Sequence, residues 1–198
     1  MIIGVDFDNT IANYTGVFHS VAVALGWLPT NIGTSKSDVK SYFIEQGIEP
    51  QWTELQGIVY GKEIHQAKPY ENCLEVLKTF KAQGHLLKLI SHKTRYPIIG
   101  DKVDFHSAAT EWLRNNAFID HPDSPFERSN IFFNETKAEK IACIAAQQCD
   151  VFIDDLESIL LAPNFPPETR KVLFNVDISS EDKCLEHHPH WENIQLCI

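Results

Sequence analysis

Short apolar runs of strand length alternate with helix-length segments along most of this chain, and each run stops at polar residues. Ile2-Ile3-Gly4-Val5 ends at Asp6, Leu86-Leu87-Lys88-Leu89-Ile90 at Ser91 and His92, and Val151-Phe152-Ile153 at Asp154 and Asp155. Ile131-Phe132-Phe133 precedes Asn134, and Lys171 to Val176 forms a last run. Helical patterns lie between them: from Pro69 through Leu77 and Phe80 to a stop at Gly84, around Ser107 to Asn116, from Thr136 to Gln148, and a short one from Leu156 to Leu161. Near-continuous apolar runs are what strands buried on both faces require, and helix-length connections make neighbouring strands parallel. The expectation is an α/β fold, a parallel sheet flanked by helices. Ligands in such sheets bind beyond the carboxyl ends of the strands, so the polar residues there are the ones to question.

The region between the first strand and the next is different. Tyr14 to Trp27, Ser35 to Gln46 and Gln51 to Val59 have helical patterning, separated by the Pro, Asn, Gly and Thr-rich stretch from Pro29 to Thr34 and by Gly47. No β-like run is apparent there. Residues 12–67 are therefore expected to form a helical insert, with residues 1–11 and 68–198 forming the core.

A length of 198 residues suits one domain with a small insertion, and 43% apolar residues suffice for a packed interior. No apolar run reaches the roughly 18–20 residues that span a bilayer. The start of the chain reads as a strand, not a signal peptide. Five cysteines (Cys73, Cys143, Cys149, Cys184 and Cys197), odd in number and without Cys-x-x-Cys spacing, read as reduced thiols of a cytoplasmic protein. A formal net charge of −10 disfavours a nucleic-acid backbone or an anionic membrane as partner. A small molecule is the expected partner, and a phosphorylated one is compatible once a metal makes the site locally positive. The oligomeric state stays open.

Four strand ends carry chemically capable groups: Asp6 and Asp8 with Thr10, Ser91, a lysine just past Asn134, and the pair Asp154-Asp155. Adjacent aspartates raise each other's pKa unless a cation or hydrogen bonds compensate, and a hard divalent ion with oxygen ligands is the natural compensation. Two lysines, Lys137 and Lys140, stand one helical turn apart. Lys137 is preferred, because it falls in the first turn of its helix, nearest the strand end.

In this order the motifs closely resemble the haloacid dehalogenase-like (HAD) hydrolase superfamily, which has Asp-x-Asp-x-Thr after its first strand, then Ser or Thr, a Lys, and an acidic pair. The resemblance covers residues from Ile2 to about Val176, apart from the insert. It implies a Rossmannoid parallel sheet with a small helical cap of the kind found in deoxynucleotidase-like and phosphoserine phosphatase-like branches. It also implies a Mg²⁺-dependent phosphatase acting on a nucleotide or sugar phosphate. Asp6 would be the nucleophile that forms an aspartyl-phosphate, and Asp8 the general acid and then base. Asp6, the backbone carbonyl of Asp8, and Asp154 would hold Mg²⁺, with Asp155 supporting; Asp154 is favoured over Asp155 as the direct ligand. Thr10, Ser91, the backbone amide near His92, and Lys137 would bind phosphate. Arg95, in the loop after Ser91, and Lys140 are candidate substrate contacts.

A phosphotransferase or phosphomutase would share every motif. A dehalogenase is disfavoured because halide needs no proton from a group such as Asp8. A phospho-receiver module has its acidic pair first and is a shorter chain. A catalytically silent scaffold would lack a motif residue, and none is missing here. Lys36, Lys40, Tyr42, Trp52 and Lys62 in the insert read as solvated or packed side chains rather than substrate contacts. His92 and His106 read as structural, and His187-His188-Pro189-His190 as a surface tail rather than a metal site.

Overall fold

The computed structural model describes residues 1–175 and 185–195. In chain order the elements are β1 (Ile2–Val5), β2 (Ala12–Asn13), α1 (Val17–Ala24), α2 (Lys36–Glu45), α3 (Glu49–Tyr60), β3 (Lys68–Pro69), α4 (Cys73–Ala82) and β4 (Leu86–His92). They continue with α5 (Phe105–Asn115), β5 (Ile131–Asn134), α6 (Lys137–Ala146), β6 (Val151–Asp154), α7 (Glu157–Leu160), β7 (Arg170–Phe174) and β8 (Glu186–His188). The chain divides into two compact units, one comprising Met1–Ala12, Pro69–Lys93 and Leu113–Ile198, the other Asn13–Lys68 and Thr94–Trp112. Residues 94–112, which the sequence assigned to the core, thus join the helical unit.

The first unit is built on a six-stranded sheet in the order β5-β4-β1-β6-β7-β8, every neighbouring pair parallel. Val5 lies level with Leu89 on one side and Ile153 on the other, and Ile153 lies level with Val172. All four are fully buried, so this row forms one continuous apolar layer. The row beside it holds Gly4 level with Phe152. A Cβ on Gly4 would come within 2.5 Å of the Phe152 ring and 2.9 Å of Cys149 Sγ, so the bare backbone there is what makes room for that ring. Ile90, Phe152 and Leu173 pack with Ile141 and Ile144 of α6 and with Ile159 and Leu160 of α7.

The termini of α6 follow from local chemistry. Thr136 and Glu139 form a capping box: Glu139 N–H donates to Thr136 Oγ1 at 3.1 Å, and Thr136 N–H donates to a Glu139 carboxylate oxygen at 2.9 Å. Two orphan amides of the first turn are thereby satisfied.

Two sequence expectations change here. The sequence predicts a helix from Pro69, but Lys68–Pro69 is a short strand paired with β2, and the helix begins at Cys73. Proline's missing donor is tolerated at such an edge. The sequence predicts a surface tail at His187 and His188, but Glu186–His188 is a half-buried parallel strand at the sheet edge. His187 Nε2 lies 2.8 Å from the Asn175 carbonyl, and His188 Nε2 lies 2.6 Å from a Glu186 carboxylate oxygen. Val176, Cys184 and Cys197 lie outside the described residues. Cys73, Cys143 and Cys149 are free thiols, and burial pushes the Cys149 thiol up to about 12. Among the described residues no helix is long and apolar enough to cross a membrane.

The second unit packs α1, α2 and α3 around an aromatic cluster. Phe18 lies 5.2 Å from Trp52 and 5.6 Å from Tyr60 between ring centroids, and Tyr60 meets Tyr14 edge-on at 5.1 Å. The segment 94–112 is anchored within it by Arg95 to Asp104 at 2.9 Å, by an ion pair between Lys62 and Asp101, and by Trp112 Nε1–H donating to the Ala67 carbonyl at 2.9 Å. Pro97 and Ile99 lie against Gly57 on α3, where a Cβ would meet Pro97 at 3.0 Å.

Candidate active site

The strand order places β1 between β4 and β6, so the carboxyl ends of these strands share one edge of the sheet. Register does the rest. Val5 is level with Ile153, and Asp6 N–H donates to the Ile153 carbonyl at 2.9 Å, which brings Asp6 beside Asp154 although 148 residues separate them. Both carboxylates are buried, at 4% and 0% exposure. Asp154 is held by a turn of its own, its Oδ1 accepting from Leu156 N–H at 3.0 Å. Carboxylate oxygens of Asp6, Asp154 and Asp155 all lie within 4.8 Å of one another.

Lys140 is the cation of this cluster. Its Nζ donates to Asp6 Oδ1 at 2.8 Å and to Asp154 Oδ2 at 2.6 Å, and it is buried at 1% exposure. The preference for Lys137 is corrected here: Lys137 Nζ is exposed and donates to Ser158 Oγ at 3.2 Å. The reason is side-chain direction. Helical side chains lean toward the N-terminus, so the long stem of Lys140, passing over the Phe152 ring with Nζ 5.5 Å from its centroid, delivers the amine back to the strand ends. Lys137, already the first helical residue, leans past the helix end.

Electrostatics follow the geometry. Burial, and then the neighbouring Asp154 and Asp8, push the Asp6 carboxyl up to about 6 against the opposing pull of Lys140. For Lys140 burial works against the charged form, but Asp154 and Asp6 outweigh it and raise its pKa above the ordinary lysine value.

After Asp6 the chain folds back tightly. Ile11 and Ala12 N–H both donate to the Phe7 carbonyl, at 3.0 and 2.9 Å, and Asn9 takes a left-handed φ of 58°. The Asp8 carboxylate meets Lys93, whose Nζ donates to Oδ2 at 2.7 Å and Oδ1 at 3.0 Å. Sequence reasoning passed over Lys93. The signal was available: Lys93 stands two residues beyond Ser91, and side chains two apart in an extended segment share a face.

Thr10 and Ser91 are buried, and their side-chain oxygens have no hydrogen-bond partner among the described residues. Orphaned buried hydroxyls cost free energy, so each one invites a ligand atom. His92 directs Nε2 to the Glu135 carbonyl at 3.2 Å. Arg95 belongs to the other compact unit, where Asp104 holds it.

Three carboxylates, those of Asp6, Asp154 and Asp155, converge closely enough to offer oxygen ligands to one metal ion. Lys140 pairs with Asp6 and Asp154, and Lys93 with Asp8.

No family model and no curated protein matches this sequence. Solved structures do. A HAD hydrolase, family IA, variant 3, from Entamoeba histolytica superposes with a TM-score of 0.58 at 11% identity, covering 98% of this chain and 95% of that one. A HAD-superfamily hydrolase, subfamily IA, variant 1, from Geobacter sulfurreducens gives 0.57 at 14% identity, covering 96% and 92%. A haloacid dehalogenase-like family hydrolase from Xanthomonas campestris gives 0.51 at 11% identity, covering 96% and 91%. Strand order, site-bearing strand ends and these superpositions together establish that the chain has the HAD-like α/β fold.

Proposed function

We propose that this protein is a Mg²⁺-dependent phosphatase that hydrolyses a small phosphorylated metabolite, a nucleotide or sugar phosphate, through an aspartyl-phosphate on Asp6. The observation that carries the reading is the convergence of Asp6, Asp154 and Asp155 with Lys140 bonded between the first two. Unaided phosphate monoester hydrolysis is very slow, so such a site must position its nucleophile and offset charge on the transferring group.

In the first half-reaction an Asp6 carboxylate oxygen bonds to phosphorus, the bond from phosphorus to the leaving oxygen breaks, and that oxygen takes a proton from Asp8. In the second, water attacks phosphorus, Asp8 takes its proton, and the phosphorus bond to Asp6 breaks, which releases phosphate. Asp6, Asp154, Asp155 and the Asp8 carbonyl would hold Mg²⁺, which when bound screens carboxylates from phosphoryl oxygens. Thr10 and Ser91 offer their unpartnered hydroxyls to those oxygens, and Lys140 adds positive charge beside Asp6. The helical unit, inserted after the first motif and again after Lys93, acts in this reading as the specificity element. The thiols and net charge favour a cytoplasmic setting and a small-molecule partner.

The test is phosphate release from an aryl phosphate and a metabolite panel with Mg²⁺. EDTA and Asp6→Asn should each abolish turnover, and acid quenching of the wild type should trap phosphoenzyme. A folded, metal-loaded protein silent on the whole panel would overturn the reading. Phosphate passed to an acceptor alcohol instead of water would favour the phosphotransferase alternative.

A further inference from the structure

We propose that Lys93 is a positioning residue for Asp8, holding that carboxylate by both oxygens in the orientation used for proton transfer. This rests on the phosphatase reading above and adds to it a residue outside the four motifs.

Lysine is almost never buried unless paired, yet Lys93 is only 4% exposed. Its Nζ sits 5.3 Å from the Phe7 ring centroid and grips the Asp8 carboxylate at 2.7 and 3.0 Å. Its own main chain is fixed, the N–H donating to the Asn134 carbonyl at 2.8 Å just beyond the last paired residues of β4 and β5. Asp8 is fixed on its side too, because it bridges to Ala12 across the turn that Asn9 closes. Two rotatable bonds separate an aspartate carboxylate from its backbone, and a contact to one oxygen leaves the group free to spin. Contact to both removes that freedom. The two lysines therefore divide the labour. Lys140 serves Asp6 and Asp154, where the phosphoryl group would attach, and Lys93 serves Asp8, where the proton would move.

Misplacing a reacting group by about 1 Å costs on the order of 10²-fold in rate. The consequence is specific, because Asp8 matters in the first half-reaction only as far as the leaving oxygen needs a proton. Phosphoenzyme formation should be followed by rapid quench with Mg²⁺ for phosphate esters of rising leaving-group pKa, from dinitrophenol to a simple alcohol. Lys93→Met should lose little with dinitrophenyl phosphate and roughly 10–100-fold with the alkyl ester. In an Asp8→Asn background Lys93→Met should cost nothing further, and inhibition by inorganic phosphate should be unchanged. Lys93→Arg should recover part of the loss, since a guanidinium can also grip both oxygens; it carries the test if Lys93→Met does not fold.

A loss equal across leaving groups, an additive loss in the Asp8→Asn background, or weakened phosphate inhibition would place Lys93 on the substrate and overturn the proposal. If the wild type turned over no ester, the function reading would fail while this pairing stayed testable by carboxyl-carbon NMR. A shifted or broadened Asp8 resonance in Lys93→Met would then support the clamp, and an unchanged one would sink it.

Discussion

Asp6→Asn should stabilise the metal-free protein while destroying its proposed activity. The folded Asp6 carboxyl titrates at about 6 against 3.8 for its ordinary value, a difference of about two pH units. At ~1.4 kcal/mol per pH unit, keeping Asp6 ionised in the fold costs up to about 3 kcal/mol at neutral pH. The sign follows from linkage. A raised folded pKa means that proton binding favours the fold, fully below pH 3.8, and that this contribution is lost as pH rises through about 6. Asparagine has no charge to desolvate and keeps an oxygen for Lys140, though it surrenders part of the attraction to that amine. A net gain of about 1–3 kcal/mol at pH 7.5 is expected, raising Tm by roughly 2–4 °C per kcal/mol for a chain of this size. The assay is thermal and urea unfolding in EDTA at pH 7.5 and pH 4. The variant should be more stable at pH 7.5, and the gap should close toward pH 4. Added Mg²⁺ should stabilise the wild type more than the variant, because Asp6 is a proposed ligand. An Asp6→Asn protein less stable than wild type in EDTA at pH 7.5, or a gap independent of pH, would refute this reasoning.

Lys140→Met in EDTA should cost about 3–5 kcal/mol in urea unfolding, since it leaves Asp6 and Asp154 buried against each other, whereas Lys137→Met should stay within about 0.5 kcal/mol. Ser91→Ala should leave stability nearly unchanged, because the lost hydroxyl has no partner among the described residues, while kcat/KM on a phosphate ester falls roughly 10–100-fold; a melt and a rate measurement on one preparation check both. Gly4→Ala should destabilise by about 1–3 kcal/mol in the same melts, because its methyl would press into the Phe152 ring and Cys149 Sγ.

Most of the sheet was readable because its strands are buried on both faces, which forces local apolar runs that stop where the chemistry begins. β6 is the clearest case: Val151, Phe152 and Ile153, all buried, lead straight into Asp154. β8 was unreadable for the opposite reason. As a half-buried edge strand, Glu186-His187-His188 satisfies its polar groups laterally and carries no apolar pattern to betray it. That segment 94–112 clusters with the helical unit was not legible, because its anchors, Asp104 to Arg95, Asp101 to Lys62 and Trp112 to Ala67, are mostly contacts between residues distant in the chain.

The sequence by itself determined the fold class, since strand period and strand endings are local properties. Tertiary structure alone decided which lysine serves which carboxylate. Lys140 and Lys137 differ by less than one helical turn in sequence, yet the backward lean of the longer-buried stem brings only Lys140 to Asp6 and Asp154. Lys93 and Asp8 are 85 residues apart; the two-residue spacing from Ser91 puts Lys93 on the motif face, but only the fold sets its amine against Asp8.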